Sequence, residues 1–345
     1  MVVWPDVFIA FLALQAVLAA PAAVSDPFAF FRPSVVVTID ERRRLELGEP
    51  VARILPGRER EVAVFAALRV DIDGDRLIAW MRRIADLKKS PYVLAIGRFS
   101  DPPGIADLAG LTLDDEDLSD IRRCRPGDCG LKLTGAEMDR LRYTLAGAGA
   151  GWKPALQDAF RHVVLARVHA YLIDGLAVPE GEGEHSPVAA SFSRILRHSA
   201  PLTERLPQFA AYLDRYPYAP MPDVESFVYW SKERLGGRPI VRLIHVSMLR
   251  GAGDDLPDAI VAGKEIFATR HINSSLGLTA VMRGAPGSHH YLAYLNRSDV
   301  DVLDGFFGGF VRWLLERRLA SDASDVLQGL RRRLESGDPD RAEQR

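Results

Sequence analysis

The sequence predicts an α+β protein, in which an antiparallel sheet is closed by a long C-terminal helix and carries a large helical insertion. The first observation is a meander of strand-like runs in the C-terminal half, separated by turn-forming Gly, Pro, Asn and Ser residues. The second is a change to helical periodicity directly after the last run. The third is a long block of helical character between two groups of strands. The strand-like runs cover residues 226–233, 239–250, 259–270, 276–283 and 289–296.

The predicted C-terminal helix has one apolar side. Pairs of large apolar residues recur every three to four positions after Asn296, which is the spacing of a helix with one buried face. We therefore expect this helix to lie across the meander. The pairs are Val302/Leu303, Phe306/Phe307, Phe310/Val311 and Leu314/Leu315.

The N-terminal half supplies a second group of strands. Residues 45–55 and 61–72 flank a Pro-Gly turn and form a candidate hairpin. Asp73 is the predicted N-cap of a helix, because an apolar stripe at helical spacing follows it directly. Residues 92–99 are the next predicted strand.

Residues 101–222 are predicted to be mainly helical, and the longest helix begins at Pro154. Strands and one helix precede this block, and strands and a helix follow it. We therefore predict one split sheet domain, residues 34–100 and 223–319, which carries the block as an insertion. Residues 320–345 are predicted as a helical, partly frayed tail.

The composition is that of an ordinary globular protein. Of the 345 residues, 48% are hydrophobic and 26% are charged, which excludes a disordered chain. The formal net charge of -2 provides no basic surface for nucleic acid, so no nucleic-acid partner is expected. Beyond the N-terminus, no apolar run reaches the roughly 18–20 residues that a membrane-spanning helix needs.

The N-terminus resembles a secretion signal. Residues 7–20 are almost entirely apolar, and a small-x-small site follows them, which predicts cleavage near Ala22 or Ala23. The region before this core contains Asp6 and no basic residue, so a retained membrane anchor and a cytosolic protein with an apolar start remain as alternatives. We predict a signal peptide over residues 1–22 and a periplasmic or secreted protein.

Two cysteines, Cys124 and Cys129, are the only ones in the chain. Their close spacing around a Pro-Gly pair, together with the export signal, favours a structural disulfide. A redox pair and half of a zinc site are the alternatives. A thioredoxin-type motif has two residues between its cysteines and this one has four, and no further cysteine exists to complete a zinc site.

The order of elements resembles the helix-grip fold of the START-related lipid-transfer and polyketide-cyclase superfamily. Residues 61–87 and 240–319 carry this likeness. The resemblance implies a curved sheet folded around the C-terminal helix, with an apolar cavity between them that takes an apolar small molecule or lipid. Residues 124–129 and 294–298 also resemble uncharacterised exported bacterial proteins, a likeness that implies no function.

Metal and cofactor sites are not predicted. The acidic run from Asp71 to Asp75 has its glycine at loop position 4 and an arginine where a calcium loop needs a glutamate. Asp158, His162 and His169 share one side of the long helix, but that side is opposite the apolar stripe. The chain contains no phosphate loop, no dinucleotide fingerprint and no nucleophile elbow.

Five side chains of the meander are candidates for a ligand pocket. They interrupt apolar strands with groups that can orient a ligand or exchange a proton. The alternation places His245 with Leu243, and it places Glu265 with Phe267, so both groups line a pocket if these faces point inward; if they point outward, they are ordinary surface residues. The candidates are His245, Glu265, His271, Tyr291 and Arg297.

Three functions follow from these expectations. The first is an exported, non-enzymatic protein that binds an apolar or amphipathic small molecule or lipid. The second is an envelope interaction or structural protein that uses the helical block as its working surface, with peripheral membrane or protein contacts. The third is an enzyme that uses His245 or His271 as an acid-base group in the same pocket.

Overall fold

Eight strands form one curved, open antiparallel sheet in the computed structural model of this protein, which describes residues 26–336 apart from residues 59, 126–127, 177–186, 235–236, 254, 285–288 and 302–323. The spatial order of the strands is β1-β2-β8-β7-β6-β5-β4-β3. The strands are β1 (Val51–Leu55), β2 (Glu61–Val70), β3 (Val93–Arg98), β4 (Glu225–Glu233), β5 (Ile240–Arg250), β6 (Ala259–Ala268), β7 (Ile272–Met282) and β8 (His290–Val300). The predicted α+β class with an antiparallel sheet is confirmed.

The two groups of strands join at two places. β2 pairs with β8 along its whole length, so the last strand of the meander lies beside the first hairpin. β3 pairs with β4 at one edge of the sheet. The helical segment between β3 and β4 therefore leaves the sheet and returns to it at the same edge.

Helices cover both faces of the sheet. The helices are α1 (Ile39–Glu46), α2 (Gly74–Arg82), α3 (Ile84–Leu87), α4 (Asp115–Arg123), α5 (Gly135–Ala148), α6 (Trp152–Asp174), α7 (Pro187–Arg197), α8 (Ala200–Thr203), α9 (Pro207–Arg215) and α10 (residues 324–336). α4 to α9 pack on one face, which we name the α6 face. α2, α3 and α10 pack on the other, which we name the α2 face.

Burial on both faces explains why the central strands are apolar at nearly every position. In β5, Val241 and Leu243 point to the α6 face, whereas Ile244 and Val246 point to the α2 face. A strand that is covered on both sides has no wet face, so its sequence reads as a continuous apolar run. A polar side chain in such a strand is buried whichever way it points.

The helix starts follow from local chemistry. The Asp73 carboxylate accepts a hydrogen bond from the backbone N–H of Arg76 at 2.8 Å, so the predicted N-cap of α2 is confirmed. α10 then docks on α2, because the indole N–H of Trp80 donates to the Leu334 carbonyl at 3.2 Å. The Leu334 side chain is fully buried there.

Cys124 and Cys129 form a disulfide, as predicted, directly after α4. The predicted signal peptide and the predicted helix over residues 302–319 lie outside the described residues. Among the described helices, none combines the length and the apolar character that crossing a bilayer requires.

Candidate ligand cavity

A cavity of about 550 Å³ lies on the α2 face, between the sheet and the helices α2, α3 and α10. Most of its described lining is aliphatic. The helices contribute the apolar side chains Leu77, Met81, Ile84, Leu87, Leu327 and Leu330. The sheet contributes Leu68, Ile244, Val246, Val261 and Leu292. A volume of this size and an apolar lining are typical of small-molecule sites.

Small residues on the central strands create this space. Gly263 of β6 and Gly277 of β7 are direct register partners, and both line the cavity. A glycine inside a strand leaves a gap where a side chain would otherwise stand above the sheet. The ring of Tyr294 lies over Gly277, since a β-carbon built on that glycine would be 3.2 Å from the Tyr294 hydroxyl oxygen.

One part of the lining is a chain of buried ion pairs. The Lys88 Nζ lies 2.6 Å from Glu233 Oε1, and the Arg242 Nη1 lies 3.1 Å from Glu233 Oε2. Arg242 also donates two hydrogen bonds to Glu265, from Nε at 2.8 Å and from Nη2 at 2.6 Å. Two cations and two carboxylates therefore neutralise one another within the wall.

In this network, the attraction between neighbouring charges opposes the effect of burial on each pKa. Burial acts to lower the pKa of Lys88, but the neighbouring Tyr229 and Glu233 raise it well above its ordinary value. Burial acts to raise the pKa of Glu233, but Arg242 and Lys88 lower it far below its ordinary value. Both groups therefore stay charged at neutral pH.

The phenol of Tyr294 is the polar group that this wall leaves available. Tyr294 is 38% accessible although β8 is an inner strand, and it lines the cavity. Burial raises the pKa of the hydroxyl, so it stays protonated. Across the described part of the chain, this hydroxyl has no hydrogen-bond partner. It can therefore donate to or accept from a bound molecule.

The structure places Glu265 on the cavity wall and His245 on the α6 face. His245 is the register partner of Lys264, so it stands on the opposite side of the sheet from Glu265. The β5–β6 register shifts between Leu243 and Ile244, and the inserted residue is Ile266. This bulge breaks the alternation that the sequence analysis assumed, and Glu265 and Phe267 end on different faces.

His245 is a buried member of the α6-face core. Its Nδ1 lies 2.7 Å from the Tyr171 hydroxyl oxygen, and its Nε2 has no partner among the described residues. Burial and the nearby Lys264 lower its pKa to about 3. The ring therefore stays neutral and does not reach the cavity.

The other three predicted pocket residues also lie away from the cavity. His271 is exposed in the β6–β7 turn with a φ of 63°. Tyr291 packs against Phe28 on the α6 face, with ring centroids 5.3 Å apart. Arg297 pairs with Glu61 on the same face. The five predicted side chains therefore do not converge on one site.

The two histidines of the long helix contact different partners. His162 contacts Asp158 at 3.5 Å, whereas His169 Nε2 lies 3.1 Å from the Pro103 carbonyl oxygen. Over the residues that the structure describes, no group of three potential metal ligands comes together.

Sequence reasoning missed the cavity's main polar groups, which are Lys88, Tyr229, Glu233, Arg242 and Tyr294. Two signals were present. A charged residue, Arg242, interrupts an apolar run, and glycines occur inside two adjacent strands. An interior strand glycine often marks a place where something approaches the backbone closely.

The chain has no match among protein families or curated proteins, and its likeness to a solved structure is weak. Among solved structures, the Zhui aromatase/cyclase from Streptomyces sp. R1128 is similar over 44% of this chain and 88% of its own. The identity is 13% and the TM-score is 0.22. A likeness at this TM-score carries no argument about the fold or the function of this chain.

Proposed function

We propose that this protein is an exported, non-enzymatic binding protein that holds an apolar or amphipathic small molecule in the cavity on the α2 face. The observation that carries the proposal is a hollow of about 550 Å³ with a mainly aliphatic lining, at a place where a packed core would be expected. An apolar ligand replaces the water in such a space and gains the free energy of burying its own surface.

The location of the charges supports a binding role in the cavity. The ion pairs stand at one part of the wall, and the remaining wall is apolar. A molecule with one polar group and an apolar body matches this division. The alternative that His245 or His271 acts as a base in the same cavity does not fit their positions on the α6 face and in the β6–β7 turn.

Export is supported by the disulfide between Cys124 and Cys129. Stable disulfides are typical of oxidising compartments and rare in the cytosol. Native mass spectrometry of the protein purified from its own host is the direct test of binding, because it reports both the mature N-terminus and the mass of any retained molecule. A mature protein that carries no small molecule and binds no apolar probe would contradict the proposal.

Replacing Gly263 by leucine is expected to weaken the binding of an uncharged apolar fluorophore, N-phenyl-1-naphthylamine, at least about tenfold, or roughly 1.4 kcal/mol. A β-carbon at this position meets Ile244 Cγ2 at 3.6 Å, which is ordinary contact, so the backbone accepts a side chain. The leucine then fills the cavity floor. Fluorescence titration measures the dissociation constant.

The matched control is Gly104→Leu, because a β-carbon at Gly104 meets nothing within 4 Å and its backbone is extended. Gly263→Ala adds only a methyl group and serves as the intermediate case. If Gly263→Leu has the same free energy of unfolding as the parent protein and still binds the fluorophore with unchanged affinity, the cavity is not the binding site.

A further inference from the structure

We infer that the ligand presents an uncharged hydroxyl or carbonyl group to Tyr294, and not a carboxylate. This inference rests on the proposed function, since it concerns the same cavity. It follows from three features of the sheet side of the wall: its ionic charges are already paired, one phenol is available, and the polar side chains beside that phenol on β7 and β8 are neutral.

The paired charges leave no cation for an anionic group near Tyr294. Glu233 contacts both Lys88 and Arg242, and Glu265 takes two hydrogen bonds from Arg242. A carboxylate that entered this region would lose its hydration and would have to compete with two buried carboxylates for the same cations. The cost of burying a charge without its own partner is several kcal/mol.

The Tyr294 hydroxyl, in contrast, needs only to exchange water for the ligand. It faces the cavity, and within the described chain it gives up no hydrogen bond when a ligand arrives. Its position is fixed because the ring lies against Gly277, where a β-carbon would stand 3.2 Å from both the hydroxyl oxygen and Cε2. A hydroxyl or carbonyl oxygen can accept the hydrogen bond that a protonated phenol donates, without bringing a charge into the wall.

The polar side chains that neighbour Tyr294 along β8 and on the adjacent strand β7 carry no charge. Asn296 follows it on β8 and donates to the Ser275 hydroxyl at 3.0 Å. Ser298 donates to the Asn296 side-chain oxygen at 2.7 Å. Thr279, the register partner of Tyr294 on β7, also lines the cavity. These neutral side chains can accept further hydrogen bonds from an uncharged ligand group or donate hydrogen bonds to it.

Arg333 of α10 offers the competing location for an anion. It lines the cavity, donates a hydrogen bond to the Leu87 carbonyl and has no carboxylate partner in the described part of the chain. A fatty-acid-like ligand would place its carboxylate here. Glutamine at this position keeps a hydrogen-bond donor and removes the charge, so it separates the two possibilities.

The experiment compares two probes with the same chain, 1-decanol and decanoate, as competitors of N-phenyl-1-naphthylamine at pH 7.5. We expect decanol to displace the fluorophore at a concentration at least about tenfold lower than decanoate. We expect Tyr294→Phe to lower the affinity for decanol about fivefold, which is the effect of losing one neutral hydrogen bond. The affinity for the fluorophore should stay unchanged. Tyr291→Phe, on the same strand and the opposite face, is the matched control and should change neither.

The outcomes separate the inference from the proposed function. If decanoate competes better than decanol and Arg333→Gln removes that preference, the ligand is an anion held by α10 and the inference is wrong, whereas the cavity still binds. The inference is also wrong if Tyr294→Phe leaves decanol unaffected. If the fluorophore does not bind the parent protein at all, the proposed function and the inference fail together.

Discussion

Replacing Arg242 by methionine is expected to lower the free energy of unfolding by about 3–5 kcal/mol, the range for breaking a buried ion pair from one side. The side chains of Glu233 and Glu265 are 5% and 2% accessible, so neither carboxylate can turn to water. Glu233 keeps Lys88, but Glu265 loses both of its hydrogen bonds to Arg242. Urea denaturation at pH 7, followed by circular dichroism, measures the loss.

Arg250→Met is the matched control for this substitution. Arg250 ends the same strand and pairs with Asp75 at 2.8 Å, but these side chains are 59% and 75% accessible. An exposed pair contributes about 0–1 kcal/mol, so this variant should be close to the parent protein. The double variant Arg242→Met with Glu265→Met removes the stranded carboxylate and should recover most of the loss. Equal stabilities for Arg242→Met and Arg250→Met would show that the buried network contributes nothing.

The same network predicts how stability changes in acid. The folded-state pKa of Glu233 lies below its ordinary 4.5, because Arg242 and Lys88 outweigh the effect of burial. Its contribution is therefore complete above about pH 4.5 and declines as the pH falls through the lower, folded-state value. In Arg242→Met, this acid-side decline should be weaker, because one of the two cations that hold the carboxylate ionised is gone.

The elements whose signals are local were predictable from the sequence. Asp73 caps α2 because a carboxylate at that position satisfies a free backbone N–H whatever the rest of the chain does. The strand-like runs of the meander appear because turn residues separate apolar stretches. The disulfide followed from two cysteines that are five positions apart around a turn.

The faces of the polar strand residues were not predictable, because they depend on cross-strand register. One inserted residue, Ile266, moves Glu265 and Phe267 to opposite faces. A shift of one residue exchanges every later side chain between the two sides of a strand. Burial on both faces also removed the contrast between wet and dry positions that would have marked the correct side.

The cavity itself is a property of three elements that meet only in the folded chain. Lys88 follows α3, Arg242 belongs to β5 and Tyr294 belongs to β8. Each is an ordinary residue in its own segment, and their common role follows from the sheet order, which brings the first and last strand groups together. The spacing of these residues in the sequence therefore does not predict that they lie together.

Replacing Lys264 by methionine is expected to remove a pH dependence of stability between about pH 7 and 10. Lys264 is completely buried on the α6 face, where its Nζ donates to the Leu213 carbonyl at 2.6 Å and lies 4.5 Å from the centre of the Phe192 ring. Burial lowers its pKa from 10.5 to about 7, although Asp214 acts to raise it. The unfolded chain keeps the proton up to about pH 10.5.

Between these two pKa values the unfolded state therefore binds more protons than the folded state, and stability rises with pH. As the pH rises, the free energy of unfolding of the parent protein should increase relative to that of Lys264→Met by nearly 1.4 kcal/mol per pH unit. The titratable groups that face Lys264 do not cancel this effect on stability between pH 7 and 10. Burial raises the pKa of Tyr171 and of Tyr216, and burial lowers that of His245 to about 3.

Urea denaturation of both proteins at half-unit steps from pH 7 to 9.5 tests this expectation, and only the difference between them is used, so that other groups cancel. Lys153→Met, at an exposed position, provides the baseline for removing one lysine. Parallel profiles for the parent and Lys264→Met would mean that Lys264 is protonated in the folded state throughout. In that case the Leu213 carbonyl and the two aromatic rings beside Nζ would stabilise the ammonium enough to offset its burial.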